Sequence, residues 1–188
     1  MIDAGQASVA GVVIRPAQLP DIPLLERLIA QSARGLSTGY YEPREIEAAI
    51  THVFGVDTDL VEDGSYFVAE QGAQVVGCGG WSARRTLFGG DRFAAREEGY
   101  LDPATEPARI RAFFVAAGHA RKGIATDLLA TCEQAAAAAG FARMALMATL
   151  PGVPFYAAHG YQAGEPIVCD CSGVGVGFIP MSKELLHK

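Results

Sequence analysis

The stretch Phe113-Phe114-Val115-Ala116-Ala117-Gly118-His119-Ala120-Arg121-Lys122-Gly123-Ile124-Ala125-Thr126 holds the residues whose types and order could do chemistry. A short strand pattern runs into a basic, glycine-containing turn, and the turn opens a helix. The first N–H groups of a helix lack intrahelical acceptors and together carry about half a positive charge. Gly123 and the small Ala125 would let a phosphate come close to that backbone, and Arg121 and Lys122 would add countercharge. Such a turn could cradle a pyrophosphate. An ordinary strand-to-helix turn also takes a glycine and a basic residue for solubility, so these residues alone leave both readings open.

Two other phosphate motifs fail on the letters. Gly118 and Gly123 have the gap of a nucleotide-binding P-loop, but Ile124-Ala125 stands where Lys and Ser/Thr are needed. No Gly-x-Gly-x-x-Gly opens a helix after the first strand. Gly173-Val-Gly175-Val-Gly177 lies in a terminal strand region with no helix behind it.

The elements that must position the turn can be read in outline. Val12–Arg15 is a strand signal stopped by Pro16, and Asp21 is placed to cap a helix carrying Ile22, Leu25, Leu28 and Ile29 at helical spacing. A second helix is expected from Pro43 to about Phe54. Tyr66–Ala69 and Val75–Gly79 read as a hairpin about Gln71–Gln74. In the strand from Ile110 to Val115, Ile110, Ala112 and Phe114 alternate against Arg111 and Phe113. The helix after Gly123 carries Leu128, Leu129 and Cys132 on one stripe and stops at Gly140. Met144–Ala148 is a further strand, Phe155–His159 a brief helix, and Ile167–Cys171 and Val174–Met181 two closing strands. The order is mixed α/β.

Composition bounds the rest. The chain has 188 residues, 50% of them hydrophobic and 19% charged, which suits one folded domain over 11–188. Residues 1–10 read as a flexible N-terminal arm without a secretory pattern, and 82–107 as a variable insertion or loop. A net charge of −6 argues against nucleic acid as a partner. The longest uncharged run, Met144–Gly164, is broken by Pro151, Gly152, Pro154 and Gly160, so no membrane span is expected. Cys78, Cys132, Cys169 and Cys171 form no metal pattern and read as reduced thiols of a cytoplasmic protein.

Arg121-Lys122-Gly123-Ile124-Ala125, followed by Leu128-Leu129, resembles the acyl-CoA pyrophosphate loop of the GNAT (GCN5-related) N-acetyltransferase superfamily. Phe155-Tyr156-Ala157-Ala158-His159-Gly160-Tyr161 resembles its late Phe-Tyr-x-x-x-Gly-Phe segment, Met181-Ser182-Lys183-Glu184-Leu185 its final strand, and Arg15-Pro16-Ala17 through Asp21 its entry into the first helix. The resemblance covers roughly residues 12 to 186. One departure is that Ala120 stands where the family's loop usually begins with Gln or Arg, the basic residue following at Arg121.

The resemblance implies a GNAT acyltransferase fold: a single mixed, mostly antiparallel sheet flanked by helices, with two parallel central strands, 110–115 and 143–149, splayed to admit CoA. It implies acetyl-CoA as co-substrate and no metal. Phe114 and Val115 would pair with the pantetheine arm, and the N–H groups of Arg121, Lys122, Gly123, Ile124, Ala125 and Thr126 would hold the pyrophosphate. Tyr156 falls at the family's general-acid position. Some relatives carry a carboxylate near the start of the fourth strand, where this chain has Arg109. Glu97, Glu98, Asp102, Glu106 and His119 lie nearby in sequence with no basis for choosing a base among them. Cys78 and Cys132 read as packing residues, and no Ser/His/Asp arrangement has nucleophile-elbow spacing, so direct attack in a ternary complex is expected.

The acceptor would be a primary amine of a small molecule or peptide, received by Tyr40, Tyr41, Glu42, Trp81 and the 82–107 segment with Arg84, Arg85, Glu97, Glu98 and Tyr100. Two alternatives stay open. One is a transferase for succinyl or malonyl groups using Arg84 or Arg85; the other is a non-catalytic acyl-CoA-binding module. A homodimer would follow family habit alone.

Overall fold

The computed structural model describes residues 11–185, so the N-terminal arm expected over 1–10 lies outside the described residues. The elements run β1 (Val12–Pro16), α1 (Ile22–Leu36), α2 (Pro43–His52), α3 (Thr58–Glu62), β2 (Tyr66–Gln71), β3 (Gln74–Ser82), β4 (Ala108–Val115), α4 (Ile124–Ala138), β5 (Arg143–Thr149), α5 (Val153–Ala158), β6 (Gln162–Ala163), β7 (Ile167–Cys171) and β8 (Val174–Glu184). The strands form one sheet in the order β1-β2-β3-β4-β5-β8-β6, with β7 also paired to β8. Each pairing is antiparallel except β4 with β5. This is the mixed, mostly antiparallel sheet that the resemblance implies.

Helices cover both faces because the buried residues of each strand fall on alternate sides. On one face α1 sets Leu25, Leu28, Ile29 and Ala33 against Tyr66, Val68, Cys78 and Phe178, a core that α2 and α3 extend with Ile46, Ala49 and Leu60. On the other, α4 and α5 pack Leu129, Cys132 and Tyr156 against Ile110, Met144, Leu146 and Met181. Burying one such side chain is worth roughly 1.5–3 kcal/mol, so these two stripes dominate the stability of the fold.

Local chemistry sets the start of α2. Glu42 leads into α2 with Pro43 in its first turn, and the Glu45 carboxylate accepts the Glu42 N–H at 2.7 Å, a capping box. Helix α2 stops at His52, short of Phe54, and the brief α3 was not expected from the sequence. Asp21 does not cap α1. Its carboxylate turns back to accept the Gln18 N–H at 2.8 Å and the Arg15 guanidinium at 2.8 Å. Arg15 holds that carboxyl below its ordinary range. Residues 83–107 form no helix or strand, only a single bridge between Arg84 and Tyr100. Among the described residues no helix is long and apolar enough to cross a membrane.

Candidate functional site

Strands β4 and β5 pair only at Ala108 with Met144 and Arg109 with Ala145. Beyond Arg109 they part, and the edge of β4 from Ile110 to Val115 faces a cleft of about 820 Å³. The cause is local. Ala112 has φ +49°, and the register of β4 against β3 shifts between Cys78 and Gly80. That is a β-bulge, which bends the strand and re-aims its side chains. Gly79 sits opposite the bulge, where a Cβ would come within 2.3 Å of the Phe113 ring. The Ala112 carbonyl, displaced by the bulge, accepts the buried Tyr66 hydroxyl at 2.9 Å.

At one end of the cleft the chain turns into α4. Arg121 and Gly123 have φ +61° and +86°, so consecutive N–H groups point into a concavity of the kind that binds anions. The first N–H of this region to find a carbonyl is that of Asp127, which donates to Gly123 at 3.1 Å. Among the described residues, the N–H groups of Arg121, Lys122, Gly123, Ile124, Ala125 and Thr126 donate to no protein atom. Arg121, Gly123, Ile124, Ala125 and Thr126 line the cleft, whereas the exposed Lys122 lies outside its lining. Ile124 is buried among Val76, Val115 and Leu128, so it can offer a ligand only its backbone. Unengaged donors, a helix N-terminus and left-handed turn residues are together a fit for a pyrophosphate.

Phe114 and Val115 line the middle of the cleft. The Val115 carbonyl already accepts the buried Ser32 hydroxyl at 2.7 Å, a contact from α1 that sequence gave no sign of. A carbonyl has a second lone pair, so the residue retains acceptor capacity. Tyr156 stands on the opposite wall with its ring against Phe113, Phe155 and Tyr161, at centroid distances of 6.5, 5.1 and 5.6 Å. Burial pushes its phenol well above the ordinary tyrosine value. His159 was also not expected here. Its Nδ1 lies 2.8 Å from the Phe155 carbonyl, which can only accept, so in the neutral ring Nε2 accepts the Thr126 hydroxyl at 3.1 Å. This contact ties α5 to the head of α4.

The other end of the cleft departs from expectation. Of the acceptor residues read from sequence, Tyr40 lines the cleft, but Tyr41, Glu42, Trp81, Arg84, Arg85, Glu97, Glu98 and Tyr100 do not. Tyr41 is a buried bolt: its hydroxyl donates to the Gly177 carbonyl at 2.6 Å and accepts the Leu150 N–H at 2.9 Å. Burial pushes that phenol up to about 12. Arg84 pairs with Asp63 at 2.7 Å and Arg85 with Glu106 at 2.8 Å, which removes both from the site proposed for an acidic acyl group. The 82–107 segment contributes Phe88, Gly89 and Gly90 instead.

Arg111 explains why. The strand alternation sends it to the α1 face of the sheet, where it is 2% exposed. It donates to Asp57 at 2.6 Å, to the Thr86 carbonyl at 2.8 Å and to the Gly89 carbonyl. Asp57, fully buried, also takes Arg96 at 3.0 Å. Burial lowers the Arg111 guanidinium below its ordinary value, against the pull of Asp57. A charge so placed is tolerated only when paired, so Arg111 and Asp57 oblige the segment over 86–96 to stay against the sheet. The Gly90 N–H bonds the Val53 carbonyl at 2.8 Å and completes the attachment.

None of the carboxylates near the fourth strand lines the cleft. The ionisable residues that do are Arg111, His119 and Arg121, with Tyr40 and Tyr156 as the phenols. Cys78 and Cys132 are fully buried and outside the cleft lining, and burial holds both thiols well above the ordinary range, Cys78 at about 12. Neither is a nucleophile in this setting. No group of metal-ligating side chains occurs among the described residues.

Comparison with known proteins agrees with this geometry. Among curated proteins no sequence matches this chain. Solved structures of the same fold include a GCN5-related N-acetyltransferase from Rhodopseudomonas palustris, 18% identical, with a TM-score of 0.70 over 96% of this chain and 100% of that one. Others are the PaiA N-acetyltransferase of Thermoplasma acidophilum with coenzyme A (14% identical, TM-score 0.63, 93% and 99% covered) and YncA of Salmonella typhimurium with acetyl-CoA (16%, 0.63, 94% and 95%). The acetyltransferase (GNAT) family model matches residues 30–161, which include the bulged strand, the turn from Arg121 to Thr126 and Tyr156. With more than half of the sequence matched and the fold in agreement, the chain belongs to the GNAT family of acetyltransferases.

Proposed function

We propose that the protein transfers the acetyl group of acetyl-CoA to a primary amine by direct attack within a ternary complex. The observation that carries this reading is the row of unengaged N–H groups from Arg121 to Thr126 at the mouth of a cleft opened by the parting of β4 and β5. Those groups would hold the pyrophosphate, and the free edge of β4 at Phe114 and Val115 would take the pantetheine arm. When bound, acetyl-CoA supplies a thioester whose acetyl carbon accepts the amine nitrogen while the sulfur leaves as thiol.

Tyr156 is the proton donor in this proposal. Its phenol, raised by burial, keeps its proton throughout the neutral range and can direct it at the departing sulfur, whose thiol form titrates near 8.5. No carboxylate of the cleft lining takes the amine's proton. The acceptor therefore enters as the free base, and water passes the proton that its nitrogen loses back to the Tyr156 phenolate, restoring the donor. An apolar cleft assists this, because desolvation disfavours the ammonium form, which in water titrates near 10.4 for an alkylamine.

A thermal melt of the purified protein tests the donor. Acetyl-CoA at about 100 times its dissociation constant adds roughly 2.7 kcal/mol, an expected rise of several degrees. Succinyl-CoA, ATP and NAD are expected to raise the melting point less. Stabilisation by ATP or NAD with no response to acetyl-CoA would overturn the reading.

A further inference from the structure

Four phenylalanine rings gather at the acceptor end of the cleft. Phe54 meets Phe114 edge-on at 5.4 Å and Phe178 at 6.2 Å, and Phe88 meets Phe178 at 5.6 Å. All four rings line the cleft. Phe54 and Phe178 sit behind, 8% and 2% exposed, while Phe88 and Phe114 keep open ring surface. At the rim Leu36 and Tyr40 are 36% and 51% exposed, two large apolar side chains on the same cleft.

The charges of this end point the same way. Among the described residues no aspartate or glutamate lines the cleft, so a polyamine or a basic peptide would find no counter-charge there for its second ammonium. The cation at this end, Arg111, is not free for a substrate carboxylate. Arg111 is committed to Asp57, Thr86 and Gly89 and keeps only its Nε unpartnered. The segment that carries Phe88 is bonded across this end through Gly90 to Val53 and Asp91 to Val56, which favours a compact body over a continuing chain.

Resting on the acetyl-transfer reading above, we propose that the acceptor is a small primary amine carried on an uncharged aromatic body. The ring would stack edge-to-face among Phe54, Phe88, Phe114 and Phe178, the geometry that aromatic pairs prefer. The body is selected by burial of apolar surface, and cationic or acidic bodies are rejected by the cost of desolvating a charge without a partner.

The test is a panel of amines assayed by thiol release with saturating acetyl-CoA, after acetyl-CoA stabilisation has been read by melting. Expected is a kcat/KM for 2-phenylethylamine at least 100-fold above that for spermidine, L-glutamate or L-phenylalanine. Phe88→Ala should raise KM for 2-phenylethylamine at least tenfold, with the dissociation constant for acetyl-CoA within about twofold. Tyr40→Glu, at an exposed rim position that the fold tolerates, should raise kcat/KM for spermidine at least tenfold. If acetyl-CoA binds but spermidine, glutamate or phenylalanine is the preferred substrate, or no member of the panel reacts, the acceptor proposal falls while the donor reading stands. If acetyl-CoA does not bind, both fall.

Discussion

The two ends of the cleft are built on different principles. The turn from Arg121 to Thr126 is six consecutive residues whose donors are backbone N–H groups, set by two left-handed residues and the start of one helix. The end proposed for the acceptor gathers α1, the α2–α3 connection, the 86–96 segment, β4 and β8, and is held together by a buried charge pair. A local device of backbone donors tolerates side-chain change. A device assembled from distant segments fails as a unit when its central contact is lost.

Arg111→Met should have the largest effect. It leaves Asp57 buried with only Arg96 as a cationic partner and frees the carbonyls of Thr86 and Gly89, at a cost of about 3–5 kcal/mol in denaturant unfolding. In the fraction that stays folded at low temperature, affinity for the amine should collapse while acetyl-CoA still binds. Equal loss of both would show that the two ends are one mechanical unit.

Tyr156→Phe, at the junction of the two ends, should lower kcat about 100-fold, close to 2.7 kcal/mol, with acetyl-CoA affinity unchanged. An unchanged kcat would favour the non-catalytic binding module. The pH profile sharpens the same point. With the free amine as reactant, kcat/KM should climb tenfold per pH unit from pH 6 to about 9. A falling limb from Tyr156 should begin only above the usual tyrosine range, because its raised value keeps the proton in place below it. A plateau near pH 5–6 would indicate a carboxylate base and break the comparison.

Gly123→Ala should be milder. The φ of +86° costs a residue with a Cβ roughly 1–2 kcal/mol. Weakening of acetyl-CoA by about tenfold in calorimetry is the expected outcome, with no change in amine preference. Lys122→Ala should be smallest. An exposed side chain outside the lining is worth less than about 1 kcal/mol, so a dissociation constant within threefold is expected. A large loss there would mean that side chains, rather than the backbone, hold the pyrophosphate.

Legibility in the sequence follows the same division. The turn was readable because strand, glycine, basic pair and helix are adjacent along the chain. The helix stripe of Leu25, Leu28 and Ile29 and the hairpin of β2 and β3 were readable because their period shows in the letters. Asp21 was misplaced because a short polar side chain next to a helix start has two backbone partners within reach, and Arg15 decided between them. The burial of Arg111 was not legible because alternation marks which face a strand residue takes but not what covers that face.

From the residues alone came the mixed α/β order, the basic glycine turn that opens a helix and the kinship carried by Tyr156 and its neighbours, each a property of contiguous chain. Only the tertiary structure decided that β4 and β5 part after Arg109, that Phe88 rather than Arg84 or Arg85 lines the cleft, and that among the described residues no carboxylate lines it. Those facts depend on which distant segments share a surface. That was settled by the bulge at Ala112 and by the need of a buried guanidinium at Arg111 for a buried carboxylate at Asp57.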